Sequence, residues 1–235
     1  MRLQSPARLV AGLALLLNAG SAAGQGNFQN LDFEAANIPQ GQVPGIVNAT
    51  DALPGWTVYF GTNQSSQVRY NDPAAGSTSV TLLATANGPG TYDTIEGTFT
   101  VLVQGGVIQV PGDGFVPAAA SISQTGLVPT SAKSIQFKTH PDLGAFLLSL
   151  GGQNIPLLAL SSTANYTLFG GDISASAGQT RELSFSALRN PSSGLNDWGL
   201  DSIRFSDQPI PEPGVFGLSA LGALLLGWRA LRQRR

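Results

Sequence analysis

Few side chains in this 235-residue chain could do covalent chemistry. His140 is the only histidine and precedes Pro141 in a turn, so a Ser-His-Asp relay would depend on that one residue. The chain has no cysteine, which excludes a thiol nucleophile, a thiolate zinc site and a disulfide framework. No Gly-x-Ser-x-Gly elbow, phosphate-binding glycine loop or His-Glu-x-x-His motif occurs. The acid pairs Asp93/Glu96 and Asp197/Asp201 could serve a glycosidase, which needs two carboxyl groups about 5–10 Å apart. Pairs of exposed acids are ordinary, however, and no catalytic residue is assigned. Trp56, Trp198, Tyr59, Tyr70, Tyr92 and Tyr166 could pack on the apolar faces of sugar rings. Tyr70 and Tyr92 lie in turn-rich segments, where binding residues gather, and with Trp56 they are the candidate ligand contacts. Trp56 after Pro54-Gly55, like Trp198, also reads as a core or rim ring.

These residues must be positioned by a body poor in charge. Charged residues are 11% of the chain, against about 25% in an average domain. Ser, Thr, Asn, Gln and Gly must supply solubility, as in many secreted β-proteins. Short β-type runs alternate with Gly, Pro, Asn, Asp and Ser turns. Strands are expected at 30–34, 56–60, 79–84, 97–103, 119–124, 134–139, 145–150, 154–160, 164–172, 179–186 and 200–206, with a short helical piece around 71–76. No 3.6-residue period is sustained anywhere. Short strands without helices predict an all-β, two-sheet sandwich. A barrel or a β-solenoid would use the same elements, though the chain shows no repeat of the kind a solenoid needs.

Both ends fall outside that pattern. Arg2 and Arg8 precede the apolar run Leu9 to Leu17, and small residues follow through Ala23. This order makes residues 1–23 a secretory signal peptide, cleaved after Ala23 by signal peptidase. The apolar run is about half the roughly 20 residues of a spanning helix. At the other end, Pro209-Ile210-Pro211-Glu212-Pro213 is a stiff spacer. An uncharged apolar run follows, a transmembrane helix over about 214–228, and then Arg229, Arg232, Arg234 and Arg235. The run is slightly short for a hydrocarbon core of roughly 30 Å, a deficit that Trp228 and snorkelling arginines can cover. The arginines keep the C-terminus cytoplasmic and leave everything upstream outside.

Pro211-Glu212-Pro213, apolar helix and arginine tail, in that order at the chain's end, resemble the PEP-CTERM sorting signal of Gram-negative bacteria. The resemblance implies residues 209–235 as the signal and an exosortase as the processing partner. It also implies a membrane-anchored precursor, then a place on the surface or in the matrix of an exopolysaccharide-producing, biofilm-forming bacterium. A plain tail anchor reads the same residues with Glu212 as spacer.

The body, 24–208, is acidic once the tails are set aside. Arg2, Arg8, Arg229, Arg232, Arg234, Arg235 and Glu212 belong to the tails, leaving six basic and thirteen acidic residues, a net charge of −7. That charge disfavours nucleic acid and suits neutral glycans or divalent cations. Three stretches stand out: Asn30-Leu31-Asp32-Phe33-Glu34 before Pro54-Gly55-Trp56; Ile122-Ser123-Gln124 before Ser134-Ile135-Gln136-Phe137; and Leu183-Ser184-Phe185-Ser186 before Trp198-Gly199-Leu200-Asp201-Ser202-Ile203. Together they resemble the galactose-binding-like jelly roll of bacterial carbohydrate-binding modules. The resemblance implies a structural calcium shared by the first and last strands, with Glu34 and Asp201 as carboxylate ligands and Asp32 as a substitute. The implied role is structural or adhesive. A carbohydrate-binding module proper is the alternative, and a glycoside hydrolase or lyase a more distant one.

Overall fold

Alternation decides which way each strand faces. In Leu183-Ser184-Phe185-Ser186-Ala187, the apolar residues are buried and the two serines half-buried on the opposite side, as a period of two requires. The computed structural model describes residues 26–74, 76–84, 93–140, 146–190, 192, 194 and 196–210. Among these, the elements run β1 (Gly45–Asn48), α1 (Ala49–Ala52), β2 (Thr57–Phe60), β3 (Asn63–Ser65), β4 (Gln67–Tyr70), β5 (Ser79–Ala84), β6 (Phe99–Val110) and β7 (Gly114–Ala118). They continue with β8 (Ala120–Leu127), β9 (Ser134–Thr139), β10 (Phe146–Leu150), β11 (Gln153–Asn154), β12 (Leu158–Ser162), β13 (Thr167–Asp172), a 3-10 turn (Ser174–Ser176), β14 (Thr180–Ala187) and β15 (Asn196–Ser206).

The strands form two sheets. The larger has the order β1-β4-β5-β6-β15-β9-β13-β12, with β7 paired to the far half of β6; the smaller is β11-β10-β14-β8-β2-β3. Neighbours are antiparallel except β4 and β5. Each sheet ends in edge strands, so the architecture is a sandwich rather than a closed barrel. Aromatic rings knit the inner faces together. Phe137 of β9 meets Phe185 of β14 edge-on at 5.2 Å, and Phe146 of β10 stacks on Trp198 of β15 at 4.3 Å, geometries that add to area burial.

Several elements differ from the sequence reading. The expected strand at 30–34 is a turn: Asn30 and Phe33 take φ of 49° and 61°, and the Asn30 side chain accepts the Ala35 amide at 2.9 Å. No helix forms among the described residues of 71–76. Asn71 has φ 46° and accepts the Ala84 amide at 2.7 Å, so its side chain competes with a helical start. The single strand expected at 154–160 is two, β11 in the smaller sheet and β12 in the larger. Pro156, with no amide to donate, lies where the chain crosses. Strands β1, β3, β4 and β7 are additions. The signal peptide, the 214–228 helix, the sorting motif and Tyr92 lie outside the described residues. Among the described residues no helix is long and apolar enough to cross a membrane.

Candidate functional site

Two regions could carry function: a carboxylate cluster where the first turn meets the last strand, and the outward face of the smaller sheet.

The cluster is built around the segment 95–100, which leads into β6. Gly97 has φ +63°, and a Cβ there would stand 2.3 Å from Glu34 Oε1. Its absence lets Glu34 Oε1 accept the amides of Thr98 and Phe99 at 2.8 and 2.9 Å. From β15, Asp201 Oδ2 accepts the Thr100 hydroxyl at 2.6 Å and the Glu96 amide at 3.2 Å. Its Oδ1 accepts the Ser202 amide at 2.6 Å. The Ile203 amide then donates to the Leu31 carbonyl at 2.9 Å, tying the last strand to the first turn. Phe33 and Ser202, the neighbours of the two carboxylates, are both left-handed non-glycine residues, a conformation that persists only where surroundings enforce it.

Electrostatics follow from burial and pairing. Asp201 is 1% exposed, and burial pushes its carboxyl up to about 6, with the Glu34 charge adding and the Thr100, Ser202 and Glu96 bonds opposing. Glu96 goes the other way, held below the usual carboxylate range by the Lys138 ammonium, which pairs with its Oε2, and by the Ser202 hydroxyl at 2.5 Å. Lys138 Nζ also sits 4.7 Å from the centre of the Tyr166 ring. Beside this network the His140 ring packs against Gly199, whose Cβ would be 1.8 Å from its Nδ1. Burial lowers the His140 pKa, and its Nε2 is 2.8 Å from the Asp93 carbonyl.

Glu34 and Asp201 thus both hydrogen-bond to the segment 96–100. Asp32 does not join them; its Oδ1 accepts the Glu34 amide at 3.3 Å within its own turn. Among the described residues no three His, Asp or Glu side chains form a set that could hold a metal. A calcium ion would therefore take Glu34 and Asp201 and draw most of its six to eight oxygens from elsewhere, such as backbone carbonyls. The acids of the two pairs sit in different settings. Glu96, held ionised by Lys138, is a poor proton donor, Asp201 is buried, and Asp197 accepts the Gln104 amide at 3.1 Å.

The aromatic candidates separate clearly. Trp56 is 6% exposed, donates its indole N–H to the Asn30 carbonyl at 3.0 Å and packs on Phe33 and Phe185. Tyr70 is likewise a core ring at 8%. Trp56 and Tyr70 are thus corrected to core residues with no ring face for a sugar, because alternation along the chain turns each inward. Tyr59 of β2 is half-buried and turned outward instead.

Tyr59 belongs to a surface that the sequence reading missed. Register places Gln64, Tyr59, Ser121, Ser186 and Leu147 opposite one another across five strands of the smaller sheet. The next outward row is Thr57, Ser123, Ser184, Ser149 and Asn154. Neither row holds a charged residue. The signal was present in the sequence: hydroxyl residues alternate with apolar ones at 121–123 and 183–187.

Comparison with known proteins finds no matching family model and no matching curated protein. Among solved structures, the chain is similar to the enzymatically active domain of tailspike protein 4 of bacteriophage CBA120, at 14% identity and a TM-score of 0.37, over 73% of this chain but 21% of that one. It is also similar to TmCBM61, solved with β-1,4-galactotriose, at 14% identity and a TM-score of 0.37, over 76% of this chain and 96% of that one. Likenesses of this size say nothing of what this chain binds.

Proposed function

We propose that this is an exported protein of a Gram-negative bacterial surface or extracellular matrix, with a structural or adhesive role exerted through the smaller sheet's outward face. The observation that carries the reading is the pair of uncharged rows across that face. Hydroxyl and amide groups donate and accept hydrogen bonds without charge, which suits the hydroxyls of a neutral polysaccharide, and Tyr59 offers a ring with a polar tip. Delivery rests on the two ends of the sequence. The signal peptide starts export, the helix and arginines hold the precursor in the membrane, and an exosortase acts near Pro211-Glu212-Pro213.

Two experiments test this. Adsorption of the mature chain to a panel of neutral polysaccharides should be broad and weak; adsorption to none of them would reject the adhesive contact. For delivery, Glu212→Ala or loss of the arginine tail should leave unprocessed precursor in the membrane, read by mass spectrometry of the mature C-terminus. Unchanged processing in both variants would reject the sorting reading.

Tyr59 favours a second reading, a carbohydrate-binding module selective for one sugar. On a glycan array that module would give one strong class of ligand, all lost in Tyr59→Ala. Within either reading Glu34 and Asp201 hold a structural calcium that fastens the first turn to the last strand. A chelator should then lower the melting temperature, and Asp201→Ala should abolish that sensitivity; an unaltered melt in chelator excludes the ion.

A further inference from the structure

Strand β13 carries Gly170 and Gly171 in its middle, where glycine packs nothing and costs chain entropy. Such a residue marks a close approach by something else. Gly171 accommodates Ile155 and Pro156: a Cβ there would meet Ile155 Cγ2 at 2.4 Å and the Pro156 carbonyl oxygen at 3.0 Å. Gly170 accommodates the end of the domain. Its Cβ would stand 2.5 Å from Ile210 Cδ1 and 2.9 Å from Leu160 Cδ1, with Gln136 Cγ at 3.5 Å.

The chain is fastened on its way to that point. Lys133 donates its amide to the Ser206 carbonyl at 2.8 Å. Ser134 Oγ donates to the Gln208 carbonyl at 2.7 Å, and the Gln208 amide to Ser206 Oγ at 3.1 Å. Residues 206, 208 and 210 are therefore each held against the larger sheet. The residue after Ile210 is Pro211, which restricts Ile210 to extended backbone and so favours the seated conformation.

We propose that the Gly170 slot is a seat for Ile210 that fixes where the chain enters Pro211-Glu212-Pro213, so that a tail-processing peptidase meets a folded surface, the half-buried Leu160 included, next to the motif. This rests on the export-and-processing reading above. The seat has two consequences. General proteases need a locally unfolded stretch, so a seated segment resists them. The processing enzyme meets Ile210, the residue before its motif, at one place on the body.

The test uses full-chain precursor in host membranes with Gly170→Val, which fills the slot, and Ile210→Ala, which empties it without touching a strand. Each precursor is treated with a non-specific protease and, separately, followed for tail processing; melting of the body is recorded alongside. Both variants should be cut between 206 and 211 several-fold faster than wild type, and processed several-fold more slowly, with the Ile210→Ala melt unchanged. Unchanged cutting in both variants would overturn the seat. Faster cutting with normal processing would overturn its role in presenting the motif. A wild-type precursor that is never processed would also overturn that role, and the fault would lie with the sorting reading, because the protease arm reports on the seat independently.

Discussion

The outward residues at the centre of the larger sheet are almost wholly covered: Thr81, Thr100 and Leu102 are 0% exposed, Asp201 1% and Gln104 2%. In the smaller sheet the corresponding rows bury only Ser123, leaving Gln64, Leu147 and Asn154 exposed and Thr57, Tyr59, Ser121, Ser149, Ser184 and Ser186 half-buried. The covered face holds the charge and the strain, in Glu34, Asp201 and the left-handed Ser202. The two central rows of the open face hold neither, and the exposed Glu182 stands one row beyond them. Buried charge and strained backbone persist only where many contacts enforce them, so the first face is committed to holding the fold. A surface whose residues make few such demands is free to touch something else.

Substitutions should separate the two faces sharply. Asp201→Ala removes the acceptor of the Thr100 hydroxyl and of the Glu96 and Ser202 amides, and should cost about 3 kcal/mol in denaturant unfolding. A loss within experimental error would mean the cluster does not fasten the fold.

The pH profile should show the same residue at work. Because the Asp201 pKa is raised from 3.8 to about 6 in the fold, the native state keeps a proton that the unfolded chain releases between those values. Its contribution is fully present below about pH 4 and lost as pH rises through about 6, at most about 3 kcal/mol in all. His140, lowered by burial, acts oppositely, losing stability as pH falls below 6.5. Comparing wild type with Asp201→Asn in chelator cancels the His140 trend. Parallel pH profiles for the two would contradict the assignment.

A smaller loss, about 1–2 kcal/mol, is expected from Gly97→Ala, which forces a side chain into the left-handed region and against Glu34. Reversible melts would measure it, and a stabilised variant would show that Glu34 does not need that approach. Smallest is Tyr59→Ala on the open face, expected within about 0.5 kcal/mol of wild type yet defective in polysaccharide adsorption. A large destabilisation there would erase the contrast between the faces.

Much of the fold is legible in the sequence, and the boundary of that legibility has a physical cause. The strands at 79–84 and 134–139 are found at those limits, because β-branched and aromatic residues alternate there with no competing turn residue. Glu34 and Asp201 could be paired by position in a resemblance. Their actual partners could not, since Thr98 lies 64 residues from Glu34 and only tertiary packing joins them. The segment 30–34 reads as a strand in sequence because left-handed Phe33 has no local signature; its ring is buried and tertiary packing fixes the backbone. Tyr70 looked like a loop residue because β1 and β4 are four-residue strands, too short for alternation to show.

Adsorption of the mature chain to neutral polysaccharide, with Ser184→Lys as the partner measurement, tests the contrast most directly. Ser184 stands mid-row on the open face, so a lysine there puts a charge among neutral hydroxyls while sparing the core. Wild type should be retarded in polysaccharide gels and Ser184→Lys should run free, with matching melts. Equal retardation of both proteins, or none for either, would contradict the account.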